Sequence, residues 1–302
     1  MSSWLADLRD AFGDKLQENV SLAAYTSARI GGAADALVTV KSADELAETM
    51  TRIWELRVPY VLLGGGSNVL VSDGGVHGVV VLNRAKDVRF ETGDAPKVWA
   101  ESGAGFTSLA NRAAEYGLAG LEWAATVPGT VGGAVYGNAG AFGGDMAGNL
   151  ISAEILTENG REDWPVEKME YGYRASALKR STLKFVILSA EMRLRHGVKE
   201  EVRFKIGEFV SKRKSTQPPG ASMGSMFKNP EGDFAGRLIE AAGLKGTRIG
   251  NAEISNVHGN FFVNHGDTKA DDIRKLIELT QTTVREKFNV SLELEVELIG
   301  DW

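Results

Sequence analysis

The chain has 302 residues, 43% of them hydrophobic and 25% charged, with a net charge of −6. That is an ordinary globular composition with room for two or three domains, and its acidity argues against a general nucleic-acid binder. The absence of cysteine excludes a disulfide framework, a thiolate metal site and a cysteine nucleophile, and it fits a reducing cytosol.

From the start of the chain, Met1 to Asp10 surrounds no long apolar core with its charges, so no signal peptide is expected. No apolar run approaches the ~20 residues of a membrane span. Glycine is in excess at 36 residues, against a usual share of ~7%, and most of it punctuates the first half. Ser42-Ala43-Asp44-Glu45 is a capping box, and Leu46, Met50 and Trp54 follow at helical spacing. Tyr60-Val61-Leu62-Leu63 reads as a short strand, and Gly64-Gly65-Gly66-Ser67-Asn68 follows it. Such a run lets backbone N–H groups converge on an anion, with Ser67 and Asn68 adding side-chain groups. A dinucleotide fingerprint would need glycine at position 69, which is Val69, and no Walker-type loop occurs.

A helix is predicted over Thr107–Tyr116, with Gly117 as its stop. A second glycine-rich element runs from Thr126 through Pro128, Gly129, Thr130 and Gly133 to Asn138 and Ala141. Two such loops suit a long ligand with several polar groups, such as a dinucleotide. Tyr171-Gly172-Tyr173-Arg174 places a guanidinium beside two aromatics, either as an oriented partner for a carboxylate or oxyanion or as a surface cation–aromatic stack.

Residues 184–195 read as a strand and 198–214 as a polar helix, which ends before Pro218-Pro219-Gly220, the best domain boundary. Lys212, Arg213 and Lys214 suit a diphosphate or, alternatively, the C-terminal end of their own helix. Gly220-Ala221-Ser222-Met223-Gly224 matches a hydrolase elbow, but prolines stand where that elbow needs a strand. Gly224-Ser225-Met226-Phe227-Lys228-Asn229-Pro230 follows. Four histidines without ligand spacing, His258 and His265 among them, give no metal site. A helix over 269–288 carries Ile273, Leu276, Ile277, Val284 and Phe288 on one side. Residues 291–300 alternate with strand period, Leu292, Leu294, Val296 and Leu298 against Glu293, Glu295 and Glu297. Periodicity does not choose among those glutamates.

Taken in order, these elements resemble the UDP-N-acetylenolpyruvoylglucosamine reductase family of flavoenzymes. The resemblance runs from Thr26-Ser-Ala-Arg-Ile-Gly-Gly32 through the two glycine loops, Tyr171–Arg174 and Gly224–Pro230 to His258-Gly-Asn-Phe261 and Leu294-Glu-Val296. It implies an α+β fold, with a two-subdomain FAD-binding region of glycine-rich loops and mixed sheets and a C-terminal α+β substrate-binding domain. The divisions it implies are 1–82, 83–214 and 215–290, with the strand 291–302 returning to the second subdomain.

The implied reaction is reduction of the enolpyruvyl group of UDP-N-acetylglucosamine enolpyruvate to UDP-N-acetylmuramate, in the cytoplasm. The implied cofactor is non-covalent FAD, with NADPH as hydride donor. Carried over residue by residue, Arg174, Ser225 and Glu295 are catalytic. Gly64, Gly65, Gly66, Ser67, Asn68, Thr126, Pro128, Gly129, Thr130, Gly133 and Asn138 bind the cofactor, and Asn229, Arg213, Lys245 and Tyr173 meet the substrate. Beyond the UDP-sugar, the reading expects no nucleic acid, membrane or obligate protein partner. Only 50 residues separate Arg174 from Ser225, which resembles the family's shorter form, without a tyrosine-bearing loop. Two other readings stay open: a related flavin oxidoreductase with another substrate, and a non-catalytic sugar-nucleotide binder.

Overall fold

The structure, a computed structural model, describes residues 3–302. The chain divides into two compact units, each assembled from three stretches of sequence. The first unit takes residues 1–16, 38–65 and 81–213, and the second takes 17–37, 66–80 and 214–302.

The first unit is built on a five-stranded sheet, ordered Gly160–Pro165, Leu150–Thr157, Phe185–Arg193, Lys97–Glu101, Val88–Glu91 and antiparallel throughout. Its central strand, Phe185–Arg193, is buried without interruption from Val186 to Ala190. A continuous apolar run of this kind belongs in a strand covered on both faces, and helices Ala43–Leu56 and Val131–Gly137 both pack against it. Helix Ala43–Leu56 starts as its sequence requires. Ser42 Oγ accepts from the Glu45 N–H at 3.1 Å, and Glu45 Oε2 accepts from the Lys41 N–H at 2.7 Å. The Ala43 N–H donates to the buried Glu101 carboxylate at 2.7 Å, an anion the positive end of the helix favours. Helix Phe106–Glu115 buries Phe106, Leu109, Ala110 and Ala113. Helix Lys199–Thr216 buries only Val202 and Ile206, as its polar sequence suggests.

The second unit holds a four-stranded antiparallel sheet, ordered Ala221–Ser225, Phe261–Asn264, Ala252–Ile254, Arg248–Ile249. Helices Ala235–Ala241 and Ala270–Phe288 contribute Leu238, Ile239, Ile273, Leu276, Ile277 and Val284 to a core with Met226, Phe227 and Phe262. The longer helix is capped from far away in sequence. Asp73 Oδ1 accepts from the Ala270 N–H at 2.9 Å, and Oδ2 accepts from the Asp271 N–H at 3.0 Å.

The C-terminal stretch differs from its sequence pattern. Only Glu297–Ile299 is strand, and it pairs parallel with Val69–Val71 inside the second unit. Residues 291–302 were expected to return to 83–214; this pairing places them with 66–80 instead. Leu292 and Val296 are buried, whereas Leu298 is exposed. The alternation fails because 292–296 follows the irregular stretch after Ser225, through a single bridge between Phe227 and Leu294. Among the described residues no helix is long and apolar enough to cross a membrane.

Candidate active site

Within the first unit the two glycine elements meet. A β-carbon on Gly64 would lie 2.6 Å from Thr130 Oγ1, so no other residue fits there without displacing Thr130. Arg84 Nη1 holds the Gly64 carbonyl at 2.8 Å, a contact that nothing in the sequence signals. Thr130 caps helix Val131–Gly137 by accepting from the Gly133 N–H at 3.4 Å. Gly129 has φ +107°, and its carbonyl accepts from the Phe106 N–H at 3.0 Å. Next to it, Pro128 fixes the approach to this turn. Arg213 donates to the Thr126 carbonyl and is half-buried, and burial lowers its pKa. It therefore sits on the loop expected to bind cofactor.

Further along, Asn138 binds two neighbours: Nδ2 donates to the Gly172 carbonyl at 2.9 Å and Oδ1 accepts from the Ala147 N–H at 3.0 Å. Gly172 and Ala175 exchange both main-chain bonds, at 3.0 and 3.2 Å, around the two-residue turn Tyr173-Arg174. Arg174 occupies the left-handed region at φ 53°, which favours glycine or asparagine. The turn fixes the arginine backbone, and Arg174 Nη2 donates to the Gly140 carbonyl at 3.1 Å. Its guanidinium carbon stands 5.4 Å from the centre of the exposed Tyr173 ring. The cation–aromatic contact of the second reading is present, and the turn fixes the backbone from which the guanidinium projects. Tyr171 is tied down as well, its hydroxyl donating to the Val135 carbonyl at 2.8 Å, and burial raises its pKa.

In the second unit the remaining residues of the glycine run meet the Thr26–Gly32 motif. The Ser27 N–H donates to the Gly66 carbonyl at 2.9 Å and Ser27 Oγ to Ser67 Oγ at 3.2 Å. Gly66 has φ +60°, and a β-carbon there would come within 2.1 Å of the Tyr25 carbonyl oxygen. Asn68 reaches the C-terminal stretch: Nδ2 donates to the Glu295 carbonyl at 3.0 Å, and its own carbonyl accepts from the Glu297 N–H at 3.0 Å.

Ser225 ends strand Ala221–Ser225, opposite Phe261. The hydrolase elbow is absent, because Ser222 lies within this strand, opposite Val263. The next residue, Met226, donates to the Asn260 carbonyl at 2.8 Å and accepts from the Glu295 N–H at 2.9 Å. One residue further, Asn260 clasps Phe227, Oδ1 accepting its N–H at 2.9 Å and Nδ2 donating to its carbonyl at 2.8 Å.

The three C-terminal glutamates now differ. Glu293 is exposed and pairs with Lys228 at 3.2 Å, and Glu297 lies in the ladder opposite Val69. Glu295 is half-buried and joined to the residue after Ser225. Asn229 Oδ1 accepts from the Ala235 N–H at 3.1 Å, and Lys245 pairs with Glu240 at 3.1 Å. His258 is a hydrogen-bonding residue, its Nδ1 facing the Asn260 N–H at 3.2 Å, and burial lowers its pKa. Between Arg174 and Ser225 the chain forms helix Ala177–Arg180, strand Phe185–Arg193, the short Arg195–His196 and helix Lys199–Thr216.

The glycines of the two loops differ in what surrounds them. Gly133 is exposed and open, a β-carbon there meeting only Thr130 Oγ1 at 3.7 Å. Gly64 and Gly66 are demanded by their protein neighbours, so they shape the loop rather than merely leave space.

Comparison with known proteins agrees in both halves of the chain. Residues 34–162 match the FAD binding domain family, and residues 215–299 match the C-terminal domain of UDP-N-acetylenolpyruvoylglucosamine reductase. The UDP-N-acetylenolpyruvoylglucosamine reductase of Chloroflexus aggregans is 43% identical over 97% of this chain and 100% of its own. That of Bacillus subtilis is 40% identical over 99% of each. The crystal structure of the reductase from Thermus caldophilus aligns with a TM-score of 0.78 at 36% identity, over 93% of this chain and 97% of its own.

Proposed function

Because the chain belongs to the UDP-N-acetylenolpyruvoylglucosamine reductase family, we propose that Arg174, Ser225 and Glu295 carry its chemistry. The enzyme is an FAD-dependent oxidoreductase that reduces the enolpyruvyl group of UDP-N-acetylglucosamine enolpyruvate to UDP-N-acetylmuramate in peptidoglycan precursor synthesis. The observation that carries this function is the match to reductases along nearly the whole chain.

The hydride chemistry is that of FAD, reduced by NADPH. Gly64, Gly65, Gly66, Ser67 and the main chain of Asn68 would hold it from one loop, and Thr126, Pro128, Gly129, Thr130, Gly133 and Asn138 from the other. As the vinyl carbon of the substrate gains hydrogen, negative charge gathers on the adjacent carbon and its carboxylate. Arg174 meets that charge with a guanidinium on a turn that already fixes its backbone, so little is lost in organising it. Ser225 Oγ gives its proton to the carbon left anionic. An ordinary serine is a weak acid, so the step depends on position beside a strongly basic centre. Glu295, protonated or bridged by water, donates a further hydrogen bond to the same region, and its main-chain bond to Met226 supports its place near Ser225.

Asn229, Arg213, Lys245 and Tyr173 are assigned to the UDP-sugar. The domain reading keeps 1–82 and 83–214 for FAD and 215–290 for substrate, with 291–302 joined to 66–80. A cytoplasmic place, with the UDP-sugar as partner and no membrane or obligate protein partner, belongs to the same reading, and the net charge of −6 argues against a general nucleic-acid partner.

Ser225→Ala is the test. Reduction of the bound flavin by NADPH should persist, while its reoxidation by the enolpyruvyl substrate slows by ~10²–10³ or more, as loss of one positioned group typically gives. Unchanged turnover would remove Ser225 from the chemistry. A protein that takes up no FAD would remove the whole reading.

A further inference from the structure

We propose that the Asn68 side chain is a positioning residue for Glu295. In this chain its carboxamide serves the acid, not the cofactor.

The observation is a two-point clamp between residues far apart in sequence. Asn68 Nδ2 donates to the Glu295 carbonyl at 3.0 Å, and the Asn68 carbonyl accepts from the Glu297 N–H at 3.0 Å. The ladder continues from there, with Glu297, Leu298 and Ile299 opposite Val69, Leu70 and Val71. Glu295 is the last residue before this ladder that the segment 68–71 grips.

Glu295 is held at its other main-chain group too. Its N–H donates to the Met226 carbonyl at 2.9 Å, and the Met226 N–H is fixed on Asn260 at 2.8 Å. The Glu295 backbone is thus spanned between the residue after Ser225 and the glycine run. A residue pinned at both N–H and C=O has little freedom in φ and ψ, so its Cα–Cβ bond is aimed before any ligand arrives and fewer rotamers remain to be sorted.

This geometry explains why an asparagine ends the run. The contact needs a short side chain that donates, while the main-chain carbonyl of the same residue stays in the ladder. Aspartate has the same shape but would set an oxygen against the Glu295 carbonyl. Serine and threonine are a bond shorter.

The inference rests on the assignment of Glu295 to the chemistry, and the experiment separates the two. Asn68→Asp and Asn68→Ala are made alone and with Glu295→Gln in the full chain. FAD affinity is measured by titrating FAD-free protein, and flavin reduction and reoxidation are followed by stopped flow. In Asn68→Ala the expected result is FAD affinity and NADPH reduction within ~2-fold of the parent and reoxidation slowed ~10- to 100-fold, the scale of a misplaced catalytic group; Asn68→Asp, which adds a negative charge beside the loop assigned to the cofactor, is read on reoxidation alone. In the Glu295→Gln background the Asn68 change should add less than ~3-fold, because the two act as one unit. The pH profile of reoxidation in Asn68→Ala should lose the limb that Glu295→Gln loses, which a general loosening of the fold would not produce.

Weakened FAD affinity with normal reoxidation at saturating FAD would overturn the proposal and return Asn68 to the cofactor. Full additivity with Glu295→Gln would overturn it as well. A Glu295→Gln protein with parental reoxidation would show instead that the underlying assignment of Glu295 is wrong. Should Asn68→Ala fail to fold, the neutral Asn68→Ser, a bond too short to reach the Glu295 carbonyl, supplies each measurement.

Discussion

Gly66 and Gly133 lie in two loops of one sequence character, yet the structure gives them opposite sensitivities. At Gly66 φ is +60°, and an added β-carbon would come within 2.1 Å of the Tyr25 carbonyl oxygen and 2.9 Å of the Thr26 α-carbon. Left-handed backbone costs a non-glycine residue ~1–2 kcal/mol. Both neighbours are main chain, so relief requires a backbone shift, at ~1–3 kcal/mol. Gly66→Ala should therefore lose ~2–5 kcal/mol of stability. At ~2 °C per kcal/mol the melting temperature falls by at least ~4 °C. At Gly133 the same methyl meets only Thr130 Oγ1, at an ordinary 3.7 Å, and it lies in the first turn of helix Val131–Gly137. Gly133→Ala should be neutral or stabilising by up to ~1 kcal/mol, but it fills space at which the cofactor is expected. FAD affinity should drop ~10-fold or more, an overlap worth ~1.4 kcal/mol. Thermal unfolding of FAD-free and FAD-saturated protein, with an FAD titration, separates the two, since bound ligand itself raises stability. A Gly66→Ala protein as stable as the parent would refute the steric argument. A Gly133→Ala protein with parental FAD affinity would take Gly133 out of the cofactor site.

Two further outcomes are expected. Asp73→Ala removes both acceptors from the start of helix Ala270–Phe288, where Lys269 supplies no cap of its own. It should cost ~0.5–2 kcal/mol in chemical unfolding, with Asp73→Asn milder; an unchanged midpoint would make the cap idle. His77 stands between Asp35 and Asp301, each at 3.2 Å, and the bond to Asp35, then the charge of Asp301, raises its pKa above the ordinary 6.5. With the folded value raised, the pairing stabilises fully below pH 6.5 and is lost as pH climbs through the raised value. Asp35→Asn should lower the His77 midpoint in an NMR titration more than Asp301→Asn does, and equal midpoints in all three proteins would remove the pairing.

Local physics made much of the fold readable. Ser42 and Glu45 announced a helix start, the apolar run at Phe185 a buried strand, and the period of Ile273, Leu276, Ile277 and Val284 a helix face. Each depends on neighbours within a few residues. What stayed hidden is non-local. The alternation at 291–300 mimics a long strand, but a parallel partner exists only for Glu297–Ile299. Asp73 reads as part of a glycine turn, and its work is on a helix 197 residues away. Arg84 gives no sign of its hold on Gly64. The glutamates were indistinguishable by period; their difference lies in which main-chain groups they meet. Both units are assembled from three separated stretches, and linear punctuation such as Pro218-Pro219 cannot reveal that.

The parallel pairing of Val69–Val71 with Glu297–Ile299 sets a schedule for biosynthesis. The earlier strand leaves the ribosome with roughly 230 residues still to be made, a delay of ~10–45 s at usual elongation speeds. Throughout that interval a short apolar edge waits without its mate, which is the condition that invites wrong partners. Truncated products ending before residue 297 lack that mate permanently. The second unit is therefore completed only as the last residues of the polypeptide are made.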